Sequence, residues 1–226
     1  RKARYRLYLS IPRPDSLFIK DLQEKFQTAG IEVENSNLGQ LPETTWFHYP
    51  SDYLGDIVHS LNVRSDNLYA ESVLRLLSLS AHEKGSAEKG IDIIRKYWQN
   101  YEADSLELFM YDGSGLARNN KVSAKYLNCV LKETARDSLI GEYFVQTLPL
   151  AGKEGSVATF MKHGELPGEL RLKSGSMSDV HAYAGYYTTP QNRYAIVVMI
   201  NNYTCTRAQL KQKISTLLTQ VLSKKE

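Results

Sequence analysis

Residues 169–203, ELRLKSGSMSDVHAYAGYYTTPQNRYAIVVMINNY, predict three consecutive β-strands near the end of the chain. Tyr, Val and Ile are frequent here, and turn residues separate the segments, which is typical of strands. The turn Pro190-Gln191-Asn192 joins the last two segments, so we expect an antiparallel hairpin. The apolar run Ile196–Met199 indicates a strand that is buried on both faces. The expected strands are Glu169–Ser176, Val180–Thr188 and Arg193–Tyr203.

Helical patterns surround this sheet in the sequence. Apolar residues recur at helical spacing in several segments, and Thr206–Ser223 predicts a long helix that covers the sheet. A further strand is expected at Tyr5–Ile11, before the first helix. Helices first, then an antiparallel sheet, then a covering helix is an α+β arrangement. The other expected helices are Ser16–Ala29, a helix capped by Ser51, Leu68–Leu79, Ser86–Tyr101, a helix capped by Ser123, and Leu139–Leu148.

The composition of the 226 residues is that of a soluble globular domain, with 42% hydrophobic and 23% charged residues. The net charge of +3 is too small to argue for nucleic acid as a partner. No stretch approaches the roughly 20 apolar residues that span a bilayer, so we expect no transmembrane segment. The two cysteines match no metal spacing, and the five histidines form no metal or Ser–His–acid pattern.

Two short motifs point to chemistry. Ser65-Asp66-Asn67 stands at the entry to the expected helix Leu68–Leu79, and Lys173-Ser174-Gly175 lies on the first predicted strand of the sheet. They match two of the three elements of penicillin-interactive acyl-transfer enzymes, the third being S-x-x-K. Each triplet alone is weak evidence for this chemistry, because the first could be a simple helix cap and Lys173 could be an exposed lysine on a strand. The order of the two triplets along the chain, and their positions at a helix start and on a strand, are more specific evidence for this class of enzyme.

The sequence around these motifs resembles a known family. Four segments in this order closely resemble the D-Ala-D-Ala carboxypeptidase/endopeptidase family, the class C low-molecular-mass penicillin-binding proteins. The resemblance runs from about residue 5 to residue 203, nearly the whole chain. The segments are RSDNLYAESVLR (64–75), YDGSGLARNNKVS (111–123), LPLAGKEGS (148–156) and RLKSGSMSDVHAYAGYYT (171–188).

This resemblance implies a β-lactamase/transpeptidase-like fold and a serine peptidase that acts on peptidoglycan stem peptides through an acyl-enzyme. It implies β-lactam antibiotics as ligands, no cofactor and no metal, and a location in the bacterial cell envelope or periplasm. In the family mechanism a serine attacks the carbonyl between two D-alanines, and water or an amine resolves the acyl-enzyme.

The resemblance also assigns roles to residues of the two motifs. Ser65 suits a proton relay, because a hydroxyl both donates and accepts. The Asn67 amide would hold both the lysine of the S-x-x-K motif and a substrate carbonyl. Lys173 and Ser174 would bind the terminal carboxylate. Gly175 would let the ligand approach the strand, and the Ser176 N–H would help to form the oxyanion hole.

The nucleophile is expected upstream of Arg1, since the family's S-x-x-K motif precedes the S-D-N triplet. Residues 1–226 are therefore expected to be the C-terminal part of the catalytic domain, which needs the upstream part of the protein to complete the fold. Ser86-Ala87-Glu88-Lys89 fits S-x-x-K by its letters but follows the S-D-N triplet. We expect Ser86 to be a helix cap instead.

Two alternatives to the peptidase remain. A non-catalytic cell-wall interaction module would keep the fold without the chemistry, although the intact Ser65, Asn67 and Lys173 argue against it. A β-lactamase shares the motifs, and the long resemblance to the peptidase family argues against that. Of the remaining polar residues, Asp112 is expected to close a tight turn with Ser114 at most on the rim of the site. Arg118 is expected in an ion pair. Asp179 and His181 follow the Lys173 motif and are expected on the polar surface, with a place on the rim of the site as the alternative.

Overall fold

A computed structural model describes residues 13–33, 50–81, 84–101, 107–161 and 166–223. The chain forms two compact units, Arg1–Pro50 and Ser51–Glu226. In the first unit, helix α1 spans Pro14–Thr28, which confirms the helix expected at Ser16–Ala29. Pro14 lies in its first turn, where a proline leaves no helical hydrogen bond unmade. The strand expected at Tyr5–Ile11 lies outside the described residues.

The second unit contains the remaining helices and two antiparallel sheets. None of the helices within the described ranges is long and apolar enough to cross a membrane. A two-stranded sheet pairs β1 with β2, and a three-stranded sheet has the order β3-β4-β5. In chain order the elements are α2 (Leu54–Arg64), α3 (Asn67–Ser80), α4 (Ala87–Trp98), β1 (Leu108–Phe109), β2 (Lys121–Val122), α5 (Ala124–Arg136), α6 (Gly141–Thr147), a 3-10 helix (Gly155–Val157), β3 (Glu169–Met177), β4 (Val180–Thr188), β5 (Arg193–Asn201) and α7 (Arg207–Leu222).

The three-stranded sheet agrees with the three strands expected from the sequence. It is antiparallel throughout, with Ser174 opposite Tyr183 and Tyr183 opposite Val198. One face packs on α7, and the other packs on α5 and α6. Ile196 packs on the first face and Val197 on the second, so apolar residues contact both faces of this strand as expected, but only Ile196 of the run Ile196–Met199 is fully buried.

The core beneath α7 is the larger of the two. It joins apolar residues of all three strands to the inner side of α7 and to the segment around Phe160, whose ring stacks on Tyr183 with centroids 4.3 Å apart. Helix α7 begins with a capping box, in which the side chains of Thr206 and Gln209 each bind the other's backbone N–H. Its buried residues are Leu210, Ile214, Leu218 and Leu222.

The side of α3 that faces the protein differs from the expected one. The helical spacing predicts a buried stripe of Leu68, Val73, Leu76 and Leu77, but Leu68 is 72% exposed and Leu76 is 50% exposed. Leu74 and Ser78 are buried instead. The cause is close packing by α4, since a Cβ at Gly90 would collide with the Leu74 carbonyl. This contact between two backbones sets the rotation of α3, and the helix's own spacing cannot reveal it.

Candidate functional site

The S-D-N triplet forms the turn between α2 and α3. Ser65 ends α2 in the left-handed conformation, with φ at 54°. Asp66 is the N-cap of α3, because its carboxylate accepts a hydrogen bond of 3.1 Å from the Tyr69 N–H. The capping role therefore falls to Asp66. The hydroxyl of Ser65 and the amide of Asn67 stay exposed and available for other contacts.

Lys173 joins the two motifs. Its Nζ donates to Ser65 Oγ at 2.8 Å and to the Ser174 carbonyl oxygen at 2.8 Å. Ser65 and Lys173 are 108 positions apart, so only the tertiary fold brings them together. An ammonium group donates and cannot accept, so the Ser65 hydroxyl accepts here and keeps its own proton available. Burial lowers the pKa of Lys173, because the half-buried ammonium has lost part of its water.

The outer edge of β3, next to this contact, presents backbone groups that do not pair with β4. Leu172 N donates to the Pro149 carbonyl at 3.0 Å, and Ala151 N donates to the Leu170 carbonyl at 2.8 Å. The backbone N–H and C=O groups of the even-numbered residues of β3 thus point away from β4. Because backbone groups alternate along a strand, the N–H and C=O of Ser174 and Ser176 also face this outer edge.

The space over this edge is open. A Cβ placed on Gly175 would meet no heavy atom within 4 Å, and Gly175 and Ser176 are both exposed. The structure thus brings Ser65, Lys173, Ser174, Gly175 and Ser176 to one accessible edge. Asn67 follows Ser65 by two residues, and its side chain has no hydrogen-bond partner in the described part of the chain.

The loop that follows β1 is held beside α3. Asp112 accepts hydrogen bonds from the backbone of Gly115 at 2.8 Å and of Ala117 at 2.6 Å, which confirms the expected tight turn. Burial acts to raise the pKa of the Asp112 carboxyl, but hydrogen bonds from Asn120 and the loop backbone lower it overall. The Glu71 carboxylate accepts from Gly113 N at 3.0 Å and Ser114 N at 2.9 Å. Because Glu71 is one helical turn from Asn67, this loop lies near the S-D-N turn.

Two residues near the site were missed by the sequence reasoning. One is Glu71, which holds the loop; the other is Ser156, whose hydroxyl accepts a hydrogen bond of 2.7 Å from Ser174 Oγ. Both lie inside segments that carry the family resemblance, at residues 64–75 and 148–156. Neither belongs to a motif with a spacing of its own, so only the fold reveals their positions.

Ser86 is a helix cap, as expected. Its Oγ accepts from Lys89 N at 3.1 Å at the start of α4, and its own N–H donates to Ser78 Oγ at 2.9 Å. Ser78 stands eleven residues beyond Asn67 on α3, which is about 16 Å along a helix at 1.5 Å per residue. Ser86 thus lies at the opposite end of α3 from the S-D-N turn.

The expectation for His181 is wrong, and the ion pair expected for Arg118 is not found within the described ranges. His181 is buried, with 2% of its surface exposed, because its strand position faces α7. Arg118 is exposed and makes no ion pair with any described residue. Within the described ranges, no group of three His, Cys, Asp or Glu side chains is placed to hold a metal ion.

Comparison with known proteins gives consistent matches. The sequence profile of the D-Ala-D-Ala carboxypeptidase 3 (S13) family matches residues 2–224. The D-alanyl-D-alanine carboxypeptidase DacB of Haemophilus influenzae is 25% identical over 221 residues, which cover 94% of this chain and 46% of that protein. The D-alanyl-D-alanine carboxypeptidase of Actinomadura sp. is 24% identical over 206 residues, which cover 86% of this chain and 38% of that protein.

Among solved structures, penicillin binding protein 4 from Haemophilus influenzae superposes with a TM-score of 0.77 at 23% identity. The match covers 94% of this chain and 50% of that one. The expected α+β fold of penicillin-binding proteins is thereby confirmed. The chain spans less than half the length of the two curated relatives.

Proposed function

Because the chain belongs to the D-Ala-D-Ala carboxypeptidase 3 (S13) family, we propose that it forms the C-terminal part of a serine-type D-Ala-D-Ala carboxypeptidase/endopeptidase. The substrate class is the peptidoglycan stem peptide. The observation that carries the proposal is the 2.8 Å hydrogen bond from Lys173 Nζ to Ser65 Oγ. This contact links two motifs that are distant in sequence at an exposed strand edge where a peptide has room to bind.

The residues at this edge suit acyl transfer. Ser65 relays a proton between the nucleophile and the leaving amine, since its hydroxyl accepts from Lys173 and still has a proton to give. The Asn67 amide binds the carbonyl that precedes the scissile bond. The outward N–H of Ser176 stabilises the oxyanion, as one donor of an oxyanion hole. Lys173 and Ser174 attract the terminal carboxylate of the substrate.

The nucleophilic serine and its lysine partner come from a part of the protein outside these 226 residues. The support is that the chain spans 46% of the Haemophilus influenzae carboxypeptidase, and that Ser86 is already used as a cap at the far end of α3. Exposed apolar side chains also support it, because Leu68 is 72% exposed and Phe109 is 48% exposed. The upstream part of the protein would cover this surface and complete the catalytic domain.

β-Lactam antibiotics would act as acylating ligands of this site. A solved structure of penicillin binding protein 4 from Haemophilus influenzae holds a β-lactam. This chain superposes on that structure with a TM-score of 0.75, and the similar fold supports the same ligand class here. Family membership likewise supports a location in the bacterial cell envelope or periplasm.

Intact-mass spectrometry after penicillin treatment tests this function. We expect a stoichiometric adduct on the full-length protein and on its Ser86→Ala variant, and no adduct on residues 1–226 alone. An adduct on Ser86, or on the isolated chain, would show that the nucleophile is misplaced. If the full-length protein takes up no penicillin but still sediments with peptidoglycan, the non-catalytic interaction module is the better description.

A further inference from the structure

The sheet behind the candidate site buries a histidine whose ring makes no hydrogen bond. His181 of β4 has 2% of its surface exposed, and neither ring nitrogen has a hydrogen-bond partner among the described residues. Its ring packs edge-on against Tyr183 with centroids 4.8 Å apart, and Tyr183 stacks on Phe160. A buried polar group without a partner costs free energy, so its presence at this position calls for an explanation.

His181 lies directly opposite Ser176 in the pairing of β3 with β4. The backbone N–H and C=O groups of Ser176 point to the outer edge of β3, so the two residues exchange no hydrogen bonds. In such a pair the side chains approach closely and lie on the same face of the sheet. The imidazole is therefore in contact range of the strand segment that presents the Ser176 N–H to the proposed oxyanion. Ser176 is exposed, whereas His181 is not.

The surroundings of His181 disfavour a positive charge on its ring. Burial is the main cause that lowers the pKa of His181, and the positive charges of Lys211 and Arg207 on α7 lower it further. The beginning of α7 also carries the positive end of the helix dipole. The titratable and charged groups of the elements around the ring are Tyr183 of β4, Tyr203 and Cys205 between β5 and α7, and Arg207 and Lys211 of α7. Burial raises the pKa of Tyr183 to about 12, so this neighbour stays neutral in acid.

We propose that the neutral imidazole of His181 is a positioning residue for the oxyanion-binding segment of β3, and that its protonation slows acyl transfer in acid. This inference rests on the proposed function and adds a pH-dependent control to it. A buried imidazolium needs water or an acceptor for its two N–H groups. The ring reaches water by displacing Ser176, its exposed neighbour across the strand pair. The Ser176 N–H then leaves the position in which it stabilises the oxyanion, and a small displacement of such a donor is costly to the rate.

The pH profile of penicillin acylation in the full-length protein tests this role. We expect the limiting acylation rate of the wild type to fall through an inflection below pH 6.5. The half-saturating penicillin concentration should stay constant, because the oxyanion forms only after penicillin has bound. His181→Phe keeps an aromatic ring beside Tyr183 but does not titrate, and its rate should be within about twofold of the wild type at pH 7.5.

The ratio of the His181→Phe rate to the wild-type rate cancels the titration of the catalytic groups. One pH unit below the inflection, about nine-tenths of the wild-type molecules carry the protonated ring, so this ratio should rise about tenfold. Lys211→Gln removes one of the cations that lower the pKa of His181, and it should move the inflection to higher pH. The matched control is His59→Phe, which makes the same change at an exposed position of α2 and should leave the wild-type profile unaltered.

Near-ultraviolet circular dichroism monitors folding of the same samples at each pH. A rate ratio that stays constant with pH would overturn the role of His181, and so would an inflection that Lys211→Gln leaves in place or moves to lower pH. A loss of acylation that coincides with unfolding would assign His181 to stability alone and overturn the role as well. Penicillin adduct stoichiometry at pH 7.5 separates these failures from that of the proposed function. A wild-type protein that forms no adduct at that pH refutes the function itself, and this inference with it.

Discussion

Replacing Lys173 by methionine tests the two effects that the structure assigns to this side chain. The substituted side chain would keep an unbranched apolar stem but lose the ammonium, and with it the 2.8 Å hydrogen bonds to Ser65 Oγ and to the Ser174 carbonyl. Removing one partner from a desolvated charged contact typically costs about 2–5 kcal/mol. At 1.36 kcal/mol for each factor of ten, kcat/KM for a D-Ala-D-Ala peptide should fall about 30- to 5,000-fold.

The thermal stability of Lys173→Met should not fall along with its activity. Burial lowers the pKa of Lys173, so the folded state disfavours the charged form that prevails at neutral pH. As the pH rises, folded Lys173 loses its proton before the unfolded side chain does. Wild-type stability should therefore rise as the pH approaches the ordinary lysine pKa of 10.5, and this rise should be absent in Lys173→Met. At neutral pH the variant should melt no lower than the wild type.

Penicillin acylation rates, peptide turnover and thermal melting are measured on the same samples of the full-length protein. The control is Lys213→Met, which makes the same chemical change on an exposed position of α7, on the opposite side of the sheet. It should leave all three quantities nearly unchanged. Near-normal turnover in Lys173→Met would refute the assignment. A large drop in melting temperature would show that Lys173 supports the fold instead of the chemistry.

Two further predictions concern the S-D-N turn and the buried histidine. Asn67→Ala and Ser65→Ala should slow acylation by penicillin with little change in melting, because Asp66 is the cap; a loss of about 1 kcal/mol of stability with normal acylation would instead indicate a capping role. The imidazole of His181 has no hydrogen-bond partner among the described residues. Burial is the main cause that lowers the pKa of His181 below 6.5, and the positive charges of Lys211 and Arg207 lower it further. The unfolded state then binds the proton first, so stability should fall as the pH drops below about 6.5, and less so in His181→Phe. Urea unfolding at pH 5 and pH 7.5 measures this difference, and an equal fall in both proteins would rule out His181 as its source.

The main sheet could be predicted because its signals are local. Each strand has β-branched and aromatic residues between turn residues, and the observed strands differ from the expected ones by two residues or fewer at their ends. The S-D-N and K-[ST]-G triplets could be recognised for the same reason. The caps at Ser86 and Ser123 are also local, since a cap depends on backbone N–H groups two or three residues away. The cap expected at Ser51 is wrong, because Tyr53 is the N-cap of α2.

Features that depend on contacts between distant segments could not be predicted. The buried side of α3 is set by its contact with Gly90 of the next helix, so the spacing of the leucines alone predicted the wrong set of buried residues. The burial of His181 follows from its pairing with Ser176, which turns its side chain toward α7. Ser156 approaches Ser174 only because its turn is packed between α2 and β3. None of these contacts produces a periodic pattern in the sequence.

The backbone of Ser65 supports the division of roles within the S-D-N turn. A left-handed conformation costs a residue other than glycine about 1–2 kcal/mol, and glycine would adopt it without that penalty. Asp66 could cap α3 equally well after a glycine, because its own side chain makes the capping bond. A residue chosen for stability alone would therefore be glycine. The strain at Ser65 coincides with a hydroxyl that reaches Lys173, and such strain tends to persist where a side chain serves function. Because Arg13, Met161, Asp179 and Asn202 share this conformation, the strain by itself marks no site; at Ser65 it is the contact with Lys173 that agrees with chemistry at the turn.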